Sequence, residues 1–400
     1  MDSYKQCNYG NPPANNTRWA PIQVGDSLSA WGATEGLMEQ LISSAGTMKN
    51  LYVELAVAPG VGQTITIKLR KNGADTALTV TISGTATTGS DTSNTVAVVA
   101  GDRLCWQAAV SVLASGVTQP RISVDYAGDT AKESQLMGGF GVGPTNAAYF
   151  PVDGMAQTDP GTFNGGRQVC ATAGTIKKLY VNLDAAPGGV QTRTLTVYQN
   201  GSATALTVTI TGAATTGNDT THSFTVAAGD TLALRDEESA SATNANVNWG
   251  MTFLADTDNE FPILAGTTSS PSDSSTSWGV INQINQLTFS ITESDRLSIG
   301  RASWIKNMYV NVVTAPASGK SWAFTLRDNA ANTAISATIA NTATTANDSE
   351  AAGVAIANFD NLGFQIVPSG TPTATGGTAW GFTATMVEPA SPFTPIMFFT

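Results

Sequence analysis

Histidine is almost absent from this chain of 400 residues: His222 is the only one. A His-based catalytic triad or a multi-histidine metal site therefore has no raw material within one copy. Of the three cysteines, Cys7, Cys105 and Cys170, none stands in CxxC spacing, so neither a zinc ribbon nor a disulfide framework is expected. Charged residues reach 12%, about half the usual share of roughly 25%. Lys and Arg (19) are outnumbered by Asp and Glu (30), for a net charge of −11, and no basic block offers phosphates a footprint. Nucleic acid is not an expected partner. No stretch approaches the ~18 apolar residues of a membrane span, so no membrane is expected either. The opening MDSYKQCNYGNPPANN has no cationic stretch before an apolar one, and export by an ordinary signal sequence is not expected.

What fills the chain instead is Thr, Ser, Asn and Gly, and they recur in register. Residues 45–92, AGTMKNLYVELAVAPGVGQTITIKLRKNGADTALTVTISGTATTGSDT, match residues 173–220 at an offset of 128 without a gap, and residues 305–349 follow at a further 129. Tyr52, Tyr180 and Tyr309 correspond, as do Pro59, Pro187 and Pro316. We read Ala20-Pro21-Ile22, Phe150-Pro151-Val152 and Phe261-Pro262-Ile263 as the openings of three units. Met137-Gly138-Gly139-Phe140, Trp249-Gly250-Met251-Thr252-Phe253 and Trp380-Gly381-Phe382 are read as their closing strands. These marks place domains at 20–143, 150–256 and 261–388. An extended arm, 1–19, precedes them and is expected to order only on a partner; an apolar tail, 389–400, follows. The period is too long for a solenoid, so the units are whole domains in tandem.

Inside each unit the apolar period is two. Leu78, Val80 and Ile82 alternate with Thr79 and Thr81, and the phase is kept by Leu206, Val208 and Ile210 and by Ile335, Ala337 and Ile339. A one-residue slip would invert every side chain, so a preserved phase predicts strands with one buried and one threonine face. Asn72-Gly73 and Asn200-Gly201 predict tight hairpin turns; Asn329-Ala330 departs from that chemistry and predicts a rearranged loop. Residues 33–44 are read as strand or loop, and about 107–134 as an extra hairpin of the first unit. The expected fold is all-β: three tandem antiparallel β-sandwiches of jelly-roll type.

Chemistry is thinly supplied. No carboxylate pair recurs at constant spacing, so no acid/base catalyst and no cofactor is expected, and the protein is read as a non-enzyme. Asp91, Asp219 and Asp348 are weak calcium candidates, but one carboxylate per loop is a thin cage, and such residues stabilise turns by accepting backbone N–H bonds. Trp19, Trp31, Trp278, Trp304 and Trp322 are candidates for surface contact with a sugar or a partner. In the tail, Phe393, Pro395, Ile396, Met397, Phe398 and Phe399 form an apolar segment expected to dock by strand addition on a neighbouring subunit, with packing on its own third domain as the alternative.

The stretches GTMKNLYV, GTIKKLYV, RKNGADTALTVTISGTATTGSDT and AAGDTLAL resemble modules of virion structural proteins of tailed bacteriophages: jelly-roll capsid decoration or cement proteins, head fibres and fibre tips. The resemblance covers roughly residues 45–107, 173–235 and 305–366 and carries no active-site motif. It implies a non-enzymatic protein on the virion surface whose partners are the major capsid protein or other virion subunits, possible assembly as a homo-oligomeric trimer included. A carbohydrate- or receptor-binding fibre or adhesin, with a glycan as partner, is the alternative. Three units in one chain would imitate a trimer at a threefold site, or form a row of beads.

Overall fold

The repeated alternation becomes strand. Leu78, Val80 and Ile82 are buried while Thr81 is exposed, and Leu206, Val208 and Ile210 repeat this around the exposed Thr207 and Thr209. Across the hairpins of the first two units the outer threonines meet: Thr66 and Thr81 hydroxyls lie 2.9 Å apart, and Thr194 and Thr209 3.0 Å apart. The computed structural model describes residues 2–387 apart from 9, 24–30, 112–118, 141–146, 157–160, 283, 285–287 and 350–351. The tail segment with Phe393, Pro395, Ile396, Met397, Phe398 and Phe399 lies outside the described residues.

The first unit contains β1 (Asp2–Asn8), β2 (Thr17–Pro21), β3 (Gln40–Leu41), β4 (Gly46–Leu55), β5 (Gly60–Lys71), β6 (Ala74–Gly84), β7 (Thr88–Val98), β8 (Arg103–Val110) and β9 (Pro120–Gly128). The second contains β10 (Glu133–Phe140), β11 (Ala148–Phe150), β12 (Gly154–Ala156), the one-turn helix α1 (Phe163–Gly166), β13 (Gln168–Val169), β14 (Gly174–Leu183), β15 (Thr192–Gln199), β16 (Ser202–Thr211), β17 (Thr216–Val226), β18 (Thr231–Glu238) and β19 (Val247–Ala255). The third contains β20 (Glu260–Thr267), β21 (Ser277–Gly279), β22 (Ser298–Ile299), β23 (Ser303–Val312), β24 (Ala317–Asp328), β25 (Ala331–Asn341), β26 (Thr345–Asp348), β27 (Val354–Ile356), β28 (Asn361–Ser369) and β29 (Thr378–Thr385).

Each unit is a sandwich of two sheets whose main strands run antiparallel in one order: β1-β9-β4-β7 over β2-β8-β5-β6, β10-β19-β14-β17 over β11-β18-β15-β16, and β20-β29-β23-β26 over β21-β28-β24-β25; β12 adds to the second unit as a parallel neighbour of β10. Setting aside the two-residue β3, β13 and β22 and the three-residue β12 and β27, this is 1-8-3-6 facing 2-7-4-5, the jelly-roll arrangement. Each sandwich has its own apolar core; the third is built around Phe364, whose ring stacks on Phe324 at 5.8 Å and on Trp380 at 4.6 Å.

The register corrects the expected edges of the units. Ile122, Trp249 and Trp380 stand opposite Val53, Val181 and Val310, so Arg121–Tyr126 belongs to the strand that closes the first sandwich and is no added hairpin. Met137-Gly138-Gly139-Phe140, expected to close that unit, pairs with β19 and opens the second. The glycines misled for a physical reason. A Cβ at Gly138 would strike the Trp249 ring at 2.3 Å, whereas a Cβ at Gly250 would strike the Leu41 carbonyl at 2.1 Å: the same residue answers two different needs.

The counterpart of Phe261-Pro262-Ile263 is likewise β1, and the true match to Ala20-Pro21-Ile22 is Gly279-Val280-Ile281, since Ala20, Phe150 and Gly279 face Trp106, Leu234 and Phe364. Residues 1–19 are thus no arm awaiting a partner: β1 pairs with β9 from Asp2↔Ala127 to Asn8↔Arg121. The Asn329-Ala330 turn keeps the hairpin geometry, with φ of 48° and 62°, so alanine takes the left-handed conformation that Gly73 and Gly201 supply elsewhere. Residues 33–44 include a short 3-10 turn, Glu35–Leu37, before β3.

Candidate functional site

Three short strands carry the organisation above the single unit. β3, β13 and β22 pair with β8, β18 and β28 of their own sandwiches, and each also lies against the next one: β3 on β10 and β19, β13 on β20 and β29, β22 on β1 and β9. The first unit therefore grips the second, the second the third, and the third the first. A head-to-tail contact repeated with equivalent residues closes on itself after three steps. This packing also explains why β9, β10, β19 and β29 lack the alternation of the other strands: one face lies on their own core and the other under the neighbour.

Close approach is secured by glycine in two of the seams. The Leu41 carbonyl sits where a Cβ of Gly250 would be, and the Val169 carbonyl where a Cβ of Gly381 would be, each 2.1 Å away. Gln40 donates through Nε2 to the Met137 carbonyl at 3.3 Å, and its counterpart Gln168 to the Leu264 carbonyl at 3.3 Å. Beside them small hydroxyls meet. Ser43 Oγ lies 2.7 Å from Thr252 Oγ1, and Thr383 Oγ1 donates to the Ala171 carbonyl at 3.0 Å.

The seam between the third and first units uses other chemistry at the same positions. Asp125 replaces Thr252 and Thr383, and Arg301 replaces Ser43 and Ala171. Arg301 donates through Nε and Nη2 to the two Asp125 oxygens at 2.8 and 2.7 Å, with its guanidinium 4.9 Å from the Tyr52 ring centre. Burial pushes the Asp125 carboxyl up, and the Arg301 contacts offset this only in part. Ser123, the counterpart of Gly250 and Gly381, keeps its side chain here, and its buried Oγ has no hydrogen-bond partner among the described residues.

Where the three units meet, Gln23, Asp153 and Asn282 correspond. Lys5 Nζ reaches Asp153 Oδ1 at 2.9 Å, with both side chains buried, and Tyr4 packs edge-on against Phe261 at 5.0 Å. Burial raises the Tyr4 hydroxyl to about 12. The small cavity here, of about 20 Å³, has walls from all three units.

The residues singled out from sequence fall as follows. Asp91 accepts from the backbone N–H of Thr79, Ser93 and Asn94, and Asp219 from Thr207, Thr221 and His222; Asp348 accepts from Ser336. These carboxylates brace the strand opposite a β-bulge, which is the turn-stabilising role. Burial works to raise Asp219, but the N–H donors and the His222 ring outweigh it and hold the carboxyl down to about 2. Trp322 is fully buried in the third core and is not a surface residue. Trp31 is half-buried against the first core, and Trp19, Trp278 and Trp304 are half-buried, Trp278 lying under Arg327 at 5.3 Å. The thiols of Cys7, Cys105 and Cys170 are all buried, and burial pushes Cys170 up to about 12.

Among the described residues no three metal-ligating side chains cluster, and no helix is long and apolar enough to cross a membrane. Sequence reasoning missed the seams, because their signal is a set of unlike residues at equivalent positions and appears only once the register is known. No protein-family model matches this chain, and no match is found among curated proteins.

Proposed function

We propose that the protein is a non-enzymatic virion structural component, a decoration or cement protein that binds the outer surface of a capsid and stabilises contacts between its subunits. The observation that carries this reading is the closed head-to-tail ring of three jelly rolls within one chain. A ring with near-threefold symmetry presents three similar surfaces at 120° to one another. It fits a partner lattice that offers three equivalent sites, such as the major capsid protein around a threefold or quasi-threefold position. Each contact can then be weak, since simultaneous engagement multiplies their effect. The low charge and threonine-covered outer sheets suit a rigid surface component.

The test is occupancy on purified particles. Electron microscopy and quantitative mass spectrometry are expected to find one chain per threefold site and hundreds of chains per particle. A handful at a single vertex, or no chain on the shell, overturns the reading.

A further inference from the structure

The seam between the second and third units holds a pocket of about 240 Å³, and the seam between the third and the first shows what fits it. Gly101, Gly229 and Phe359 are equivalent: their backbone N–H groups donate to the carbonyls of Ile42, Cys170 and Gly300 at 2.8, 2.7 and 3.0 Å. Phe359 keeps a left-handed φ of 71°, where the other two positions use glycine at 89° and 95°. A bulky side chain is an outlier in that region and persists only where its surroundings over-determine it.

The compensating contact is the seat of its ring. Phe359 lies edge-on to Tyr52 across the closing seam, the centroids 5.3 Å apart and the planes at 74°, and Tyr52 is buried. At the second seam Gly229 stands in place of Phe359, and Tyr309 in place of Tyr52. Tyr309 is only half-buried and lines the pocket, and a Cβ on Gly229 would lie 3.1 Å from its ring. The first seam has Gly101 and Tyr180 at these positions, but a Cβ on Gly101 would meet no described atom within 4 Å, so no aromatic wall stands beside it.

The other walls match the same occupant. Val169, Val310 and Ala346 continue the apolar lining, Thr345 and Asn347 give it an exposed polar rim, and no described wall carries a charge. An apolar hollow with a polar rim, continuous with an existing interface, is the form taken by the seat of a single anchor side chain. Its volume lies below the roughly 300–1,000 Å³ of small-molecule sites. Charged groups find no counter-charge there, and an aliphatic side chain would forgo the edge-to-face contact with Tyr309. We infer that this pocket receives a phenylalanine side chain presented by a partner polypeptide, which takes the place that Phe359 fills from within the chain at the closing seam. The inference rests on the seams and not on particle attachment.

The test is amide-resolved NMR on the full chain, titrated with N-acetyl-phenylalaninamide and, as a control, N-acetyl-leucinamide. The phenylalanine probe is expected to give saturable shifts at Gly229, Val310 and Ala346 with a millimolar dissociation constant, about fivefold tighter than the leucine probe. Gly229→Phe supplies the ring from within and should abolish those shifts. Tyr309→Leu leaves the backbone of the turn alone and should remove the preference for the phenylalanine probe. Phe359→Gly vacates the equivalent seat and should add saturable shifts at Tyr52 and Val53. No saturable shift at Gly229, an equal response to both probes, or a response untouched by both Gly229→Phe and Tyr309→Leu overturns the proposal, and none of these results bears on occupancy of a capsid.

Discussion

Truncating Arg301 to alanine isolates the closing seam, and the other two seams provide the control. The Asp125 side chain is fully buried and Arg301 nearly so, and their two hydrogen bonds are 2.7 and 2.8 Å long. Arg301→Ala leaves a buried carboxylate that keeps, among the described residues, the Asn50 Nδ2 donor at 2.7 Å. Breaking one side of such a pair costs about 3–5 kcal/mol, and the lost stacking on Tyr52 adds on the order of 0.5–1 kcal/mol. With an unfolding entropy near 2.1 cal/mol/K per residue, a chain of 400 residues melting as one unit drops by about 5 °C.

The double variant Arg301→Ser with Asp125→Thr installs the pair that Ser43 and Thr252 already form at 2.7 Å. It is expected to recover most of the loss, because no charge is then left buried. Differential scanning calorimetry of the wild type, both single variants and the double variant gives the coupling energy as a cycle. Small-angle scattering reports whether the ring has opened. If the arginine variant loses less than about 1 kcal/mol, or if the double variant is no better than the worse single one, the account of the closing seam fails.

Further outcomes follow from other sites. In the second core Arg193 and Asp236, both buried, pair where the first unit has Ile65 and Ala108. Asp236→Ala alone should cost about 3–5 kcal/mol in urea unfolding, while Arg193→Ile with Asp236→Ala should be neutral or stabilising. Gly250→Ala must push back the Leu41 carbonyl and should lose about 1–3 kcal/mol, whereas a Cβ at Gly73 meets nothing and Gly73→Ala pays only the left-handed backbone cost of roughly 1 kcal/mol. Asp219, ordinarily at 3.8 and held near 2, contributes stability that is complete above about pH 4 and is lost as the pH falls towards 2. Asp219→Asn should flatten that part of the acid-unfolding curve, and an unchanged slope rejects the assignment.

The legible part of the fold was the part with one wet face. β6, β16 and β25 alternate because water lies on one side, so their phase could be read three times over. β9 and β10 are buried on both faces and show no period, and they are consecutive in sequence yet belong to different sheets. Pattern alone therefore gave the glycines of β10 to the wrong unit. β1 was missed for a related reason. Its few apolar residues set no period, and Lys5 is charged because it answers the buried Asp153 of the second unit. The Asp91 family was readable as turn chemistry from composition, whereas the Arg301–Asp125 pair joins residues 176 apart and could not be read before the ring was known.

A ring whose three members share one polypeptide differs from an assembly of identical subunits in what it permits. Identical subunits must repeat every feature around the axis, so an opened crevice or a charged latch would appear three times or not at all. Here the Arg301–Asp125 latch occupies a single junction, and at the other two the same positions carry serine or alanine facing threonine. Covalent fusion also removes any dependence of ring formation on concentration, so a lone molecule can retain its shape at dilutions that would dissociate a trimer.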